Sequence, residues 1–380
     1  MRDPSRLVLP VAEFERRLAA ARALMAERDF VALLADQTET IFYYTGFDLS
    51  EIIYRALVLP REGETFVVVR GVDAPSFEEH SFADRGIGYL DWDDPLEALA
   101  AELGRRRLSR GRIGLDLDSY GMTPRRFDRL RALLPEVEFV DVGEFFLEAR
   151  VVKCEAEIAW MQKAADVADR GLAAAVSALG PGRRQRDGIA AASAEYVLAG
   201  ADTGRVGFVT GGRGANFFHR PIGEAPLERH DIVHFEFAPR VKGYCARMMR
   251  SVIVGEATAG QSEIARQLVE LQDRQLAAMR PGVAACEVDA ILRDEVLARG
   301  LRKSYENATG YALGHVPWAS PRTSDLHRRI TPAAKWRLEP GMVFHMIATG
   351  SGIAFSESVH VREDGPRRLG RSERRLFVAP

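Results

Sequence analysis

Hydrophobic and polar positions alternate most sharply between residues 231 and 254. Residues 231–237 repeat with period two and are rich in β-branched and aromatic types, which predicts a strand. Pro239 closes it, because proline donates no ladder hydrogen bond. Gly243 marks a turn or bulge, and residues 244–254 run back antiparallel. Ile232, His234 and Glu236 share one face of the first strand, and Val233, Phe235 and Phe237 share the other. One face is therefore apolar. The other carries a histidine and a carboxylate in mid-strand, which are costly to bury unless paired.

The remaining pattern divides the chain. Residues 11–29 place apolar positions at helical spacing, and FVALLAD reads as a strand. Strands near 56–59 and 65–69 flank a Pro-Arg-Glu-Gly-Glu turn. Helices at 95–107 and 123–134 precede the strands RIGLDLD and VEFVDV. Helices alternating with strands predict an α/β domain over 1–147. A long amphipathic helix after Cys154, helices at 184–200, 261–279 and 286–299, and the hairpin make a second domain over 148–380.

Composition narrows the function classes. A chain of 380 residues with 47% hydrophobic content is long enough for two cores. A formal net charge of −2 gives no reason to expect nucleic acid or an anionic membrane as partner. Cys154, Cys245 and Cys286 form no CxxC pair and no metal spacing. Free thiols, and no apolar run of signal or bilayer-spanning length, lead to an expectation of a cytoplasmic protein.

Several stretches together resemble one family. Arg150, Lys153, Glu157, Ile158, Met161, Ala164 and Ala165 follow the order R-x-x-K-x-x-x-E-I-x-x-M-x-x-A-A, and YYTGF resembles a Y-Y-S/T-G segment. Asp231, Val233, Gly243, Tyr244, Cys245, Arg250 and Ser251 fall in register with a G-D-x-V-x-x-D-x-G hairpin that returns as S-D-x-T-R-T. This is similar to the pita-bread fold of methionine aminopeptidase, aminopeptidase P, prolidase, creatinase and ectoine hydrolase. The resemblance implies an α+β pita-bread catalytic domain preceded by a creatinase-type N-terminal domain.

In the peptidases of that family five side chains hold a metal pair. Here Glu236 stands at the first position and Arg247 at the second, where a guanidinium offers no acceptor. Tyr311 replaces the histidine of G-H-G-x-G, Trp318 replaces a following histidine, and Ile347 replaces the glutamate of P-G-M-x-x-x-x-E. The resemblance leaves Glu357 in SESVHV as the last ligand. These replacements lead to the expectation of no metal and no other cofactor.

Creatinase keeps the fold without metal and uses a histidine twelve residues before the aspartate that opens the hairpin; here that is His219. The expectation is a metal-independent hydrolase of an amide or amidine C–N bond in a small, carboxylated nitrogen compound, like ectoine hydrolase or creatinase. His219 would shuttle a proton, and Glu236 and Glu357 would hold or attack the scissile group. Arg322, Tyr311, Arg247, Trp318, His360, Tyr54 and Arg55 would bind substrate. A homodimer, with the partner's N-terminal domain near the active site, is expected. The alternatives are an Xaa-Pro-type metallopeptidase and a non-catalytic binding protein on the same fold.

Overall fold

The structure, a computed structural model, describes residues 4–48, 54–212, 219–322 and 327–380. Two compact units divide the chain: residues 1–150 with 317–323, and residues 151–316 with 324–380. The short excursion 317–323, expected in the second domain, is counted with the first.

The first unit contains α1 (Val11–Glu27), β1 (Phe30–Ala35), α2 (Thr38–Thr45), β2 (Ala56–Pro60), β3 (Phe66–Arg70), α3 (Ala74–His80), β4 (Arg85–Tyr89), α4 (Pro95–Arg105), β5 (Gly111–Leu115), α5 (Pro124–Leu133), β6 (Val137–Asp141) and α6 (Gly143–Glu148). Its six strands lie in the order β4-β3-β2-β1-β5-β6. Helix α1 buries Phe14, Arg17, Ala21 and Met25, one stripe at helical spacing. Arg17 is tolerated there because its guanidinium stacks 3.9 Å from the Tyr43 ring centroid and donates to the Tyr43 carbonyl at 2.6 Å.

The second unit contains α7 (Glu155–Ala178), α8 (Gln185–Leu198), β7 (Val209–Gly212), β8 (Ile232–Phe237), β9 (Arg240–Val241), β10 (Tyr244–Cys245), β11 (Met248–Val254), α9 (Ala259–Ala277), α10 (Ala285–Ala298), β12 (Gly310–Ala312), β13 (Val343–Gly350), β14 (Ile353–Arg362), β15 (Gly365–Arg368) and β16 (Phe377–Ala379). Its eight-stranded sheet runs β12-β13-β14-β11-β8-β7, with β15 on β14 and β16 on β11. Helix α9 starts at a capping box: the Thr258 hydroxyl accepts from Gln261 N–H, and Gln261 Oε1 accepts from Thr258 N–H. The Glu157 carboxylate accepts from the Cys154 N–H at the start of α7 in the same way.

Candidate functional site

The cross-strand register of this sheet decides which side chains can meet, because residues directly opposite in neighbouring strands share a face. Glu236 of β8 stands opposite Met249 of β11, Met249 opposite Ser356 of β14, and Ser356 opposite Ile347 of β13. His345 stands opposite Ser358 and Tyr311, and Ser251 opposite His234. All of these belong to one face, called the front. Stepping by one residue gives the back: Phe235 opposite Arg250, and Met346 opposite Glu357.

On the front face Glu236 and Arg247 pair with each other. Arg247 Nη2 donates to Glu236 Oε1, and the two side chains are 5% and 3% exposed. Burial works against the Arg247 cation, but Glu236 and Tyr311 more than offset it, and its pKa lies above the ordinary arginine value. The Arg247 guanidinium also sits 5.7 Å from the Tyr311 ring centroid. His345 is fully buried between Tyr311 Oη, 2.8 Å from Nδ1, and Ser356 Oγ, 2.5 Å from Nε2. Burial first, and the Arg247 charge second, hold His345 well below the usual histidine range. Met249, Ile347 and Ala354 form an apolar cluster on this face, with Tyr311 packed against it.

His219 and Glu236 are brought to this front region. The His219 ring stacks on Phe208 at 4.6 Å, and Phe208 gives its carbonyl to the Glu236 N–H at 2.8 Å. His219 is exposed, whereas His234 is fully buried. Burial, with a smaller contribution from His219, pushes His234 down to about 3. His360 also lies on the front parity of β14 and is mostly buried, which lowers its pKa.

Glu357 departs from expectation. It points to the back, where Arg250 Nη2 donates to it at 2.7 Å and Arg368 Nη1 at 3.4 Å. The two partners Arg250 and Glu357 are 0% and 1% exposed. Arg250 spends its other donors on the carbonyls of Met249, Ser356, Ser372 and Glu373. The structure therefore does not bring Glu357 together with Glu236. Its expected place on the front is taken by Ser356, one residue earlier, because a strand's faces alternate at every residue. That parity was the available signal for Ser356, and it required the register of four strands.

Arg322 and Trp318 fall in the excursion counted with the first unit. The Arg322 guanidinium lies 5.5 Å from the Tyr120 ring centroid, and the Arg322 backbone N–H donates to Ser320 Oγ at 3.0 Å. Trp318 is 54% exposed, and its backbone N–H donates to the Asp48 carboxylate. Tyr54 is buried under the Arg126 guanidinium, 5.0 Å away, and Arg55 is buried with Nη2 donating to Thr38 Oγ1.

A pair of divalent cations needs several carboxylate or imidazole ligands converging on it. The front positions hold Glu236, Arg247, Tyr311, Ile347 and Ser356. Only one is a carboxylate, and Arg247 already neutralises it. These residues do not fit a cation pair.

Residues 159–363 match the family described as Metallopeptidase family M24, and residues 17–152 match the Creatinase/Prolidase N-terminal domain. "Probable dipeptidase PepE" of Mycobacterium tuberculosis is 29% identical over 97% of both chains. "Uncharacterized hydrolase/peptidase y4tL" of Sinorhizobium fredii is 28% identical over 98% of both. The crystal structure of the prolidase from Pyrococcus horikoshii superposes with a TM-score of 0.81, covering 95% of this chain and all of that one at 18% identity, which speaks for the fold. These matches overturn the expectation of a metal-independent hydrolase of non-peptide amides or amidines. The full-length relatives bear peptidase and dipeptidase names, which favours the peptidase alternative.

Proposed function

Because the chain belongs to metallopeptidase family M24, with a creatinase/prolidase N-terminal domain ahead of a pita-bread domain, we propose that it is a hydrolase of short peptides, dipeptides foremost, cleaving the peptide C–N bond. The observation that carries this reading is the end-to-end match to the "Probable dipeptidase PepE". The front face supports it with groups suited to a small zwitterion: an apolar floor of Met249, Ile347 and Ala354, and a polar rim. In this reading His219, stacked on Phe208, gives a proton to a departing amine, which a nitrogen leaving group requires. A homodimeric, cytoplasmic enzyme is part of the same reading; the three free thiols support the compartment, and light scattering tests the dimer.

A second reading is short-peptide binding without turnover. The Arg247–Glu236 pair favours it, since it closes two of the five front positions on each other. One experiment separates the two. Purified protein is offered Xaa-Pro and other dipeptides as isolated, after chelation, and with Mn²⁺ or Co²⁺ added. Released amino acids are measured by mass spectrometry and binding by calorimetry. Cleavage in any of the three states supports hydrolysis. Binding without cleavage selects the second reading, and neither binding nor cleavage overturns both.

A further inference from the structure

Strands β11 and β14 meet differently from their neighbours. β8 and β11 register over six residue pairs and β13 and β14 over eight, but β11 and β14 register at one, Met249 opposite Ser356. Side chains span the join. On the front, Ser356 Oγ accepts the Met249 N–H at 2.7 Å, and Ser251 Oγ accepts the Ala354 N–H at 3.1 Å. Ser358 Oγ accepts the Arg247 N–H at 2.8 Å and donates to the Arg247 carbonyl at 3.0 Å. On the back, Arg250 Nη1 donates to the carbonyls of Met249 and Ser356, one from each strand, at 2.9 and 3.0 Å. All four of these side chains are buried.

The two sides of this join differ in how firmly they hold. Arg250 is fixed as well by its ion pair with Glu357 and by the Ser372 and Glu373 carbonyls. A serine hydroxyl, by contrast, releases an N–H by turning about one χ1 bond, whereas a backbone carbonyl releases it only when its strand unzips. The join also runs beneath the apolar floor. Met249 lies on one side of it, and Ile347 and Ala354 on the other. The Arg247 guanidinium faces the Tyr311 ring across it at 5.7 Å. We propose that the join is hinged on the back by Arg250 and latched on the front by Ser251, Ser356 and Ser358, and that a short peptide seated across Met249, Ile347 and Ala354 holds it shut. The choice of ligand rests on the functional reading above. The hinge and the latch do not.

Hydrogen exchange on the full chain, resolved to single amides by mass spectrometry, tests this. Backbone groups alternate along a strand, so the amides of Arg247 and Met249 face the join, while those of Met248 and Arg250 face β8. In the free wild type, Arg247 and Met249 should exchange at least about tenfold faster than Met248 and Arg250 after correction for intrinsic rates, because local opening needs less than global unfolding. Equal rates overturn the latch. Ser356→Ala should speed exchange at Met249 and leave Met248 as it is. No rise at Met249, or a rise shared equally by Met248, overturns the role of Ser356. Ala-Pro at about ten times its calorimetric Kd should slow Arg247 and Met249 about tenfold, the factor by which a ligand of the shut form alone depletes the open one. Bound peptide without slowing overturns the closing. A wild type that binds no Ala-Pro refutes the functional reading and the ligand together, while the rates in the free protein still judge the latch.

Discussion

Replacing Arg247 by Met tests whether the front-face ion pair is a closed, buried unit. The substitution keeps much of the side-chain volume and removes the positive charge that, among the described residues, is bonded to Glu236. Glu236 is 2% exposed, so its carboxylate cannot recover the lost partner from bulk water. Breaking a buried pair by removing one member costs roughly 3–5 kcal/mol, mostly from the charge left behind. At about 2–4 °C per kcal/mol for a unit of this size, the melting temperature should fall by roughly 6–20 °C. The double variant Arg247→Met/Glu236→Leu removes the stranded charge as well and should regain most of that loss. Thermal and guanidinium unfolding of wild type, both single variants and the double variant close the cycle. A single Arg247→Met costing under about 1 kcal/mol, in the range of an exposed pair, would refute the reasoning.

Glu357→Gln leaves Arg250, which is 0% exposed, without its charged partner; an unfolding loss of roughly 3–5 kcal/mol is expected, with dipeptide affinity of the folded protein unchanged. A loss of affinity without loss of stability would place Glu357 in the site after all. His234 is pushed to about 3 when folded, against about 6.5 unfolded, so its contribution is intact above pH 6.5 and erodes as the pH falls from there toward 3. By pH 5 that erosion is about 2 kcal/mol, and His234→Gln should show correspondingly less difference between unfolding at pH 7 and pH 5. Calorimetric titration with Mn²⁺ should show no two-site binding at the front face; two equivalents bound in the wild type and lost in Glu236→Ala would contradict the charge balance seen there. His219→Ala should leave stability within about 0.5 kcal/mol of wild type, since the ring is exposed, and lower peptide turnover if it protonates the leaving amine.

The hairpin could be read from the chain because its signals are local. Alternation over 231–237 became β8, and the turn expected at Gly243 is there, with Lys242 at φ 53° and Gly243 at φ 76°, both left-handed as a tight hairpin demands. The helix after Cys154 could be read for the same reason. The two faces of the sheet could not. Assigning Glu357 to the front was an error of one residue, and nothing within SESVHV marks which of its polar side chains faces Glu236. The answer depends on pairing β14 with both β11 and β13, which are far away in sequence. Pairing of Arg247 with Glu236 was foreseeable, since both stand on the same face of one hairpin. The five-fold use of Arg250 was not, because four of its acceptors are backbone carbonyls that any sequence would supply.

The excursion 317–323 also has a bearing on how the protein is made. Ala319 belongs to the hydrophobic cluster of the first unit, and Ser320 Oγ donates to Glu39. During synthesis the first unit emerges early, yet this strip of its core arrives only after residues 151–316 have been translated. The nascent first unit thus waits with an uncovered edge, and its last contacts close across a long loop, a slow step in folding. Hydrogen exchange on a fragment of residues 1–150 would show this as poor protection around Ile41 and Tyr43, restored on adding a peptide spanning 317–323. The boundary between the two halves is therefore crossed in time as well as in sequence: the unit that begins first is finished second.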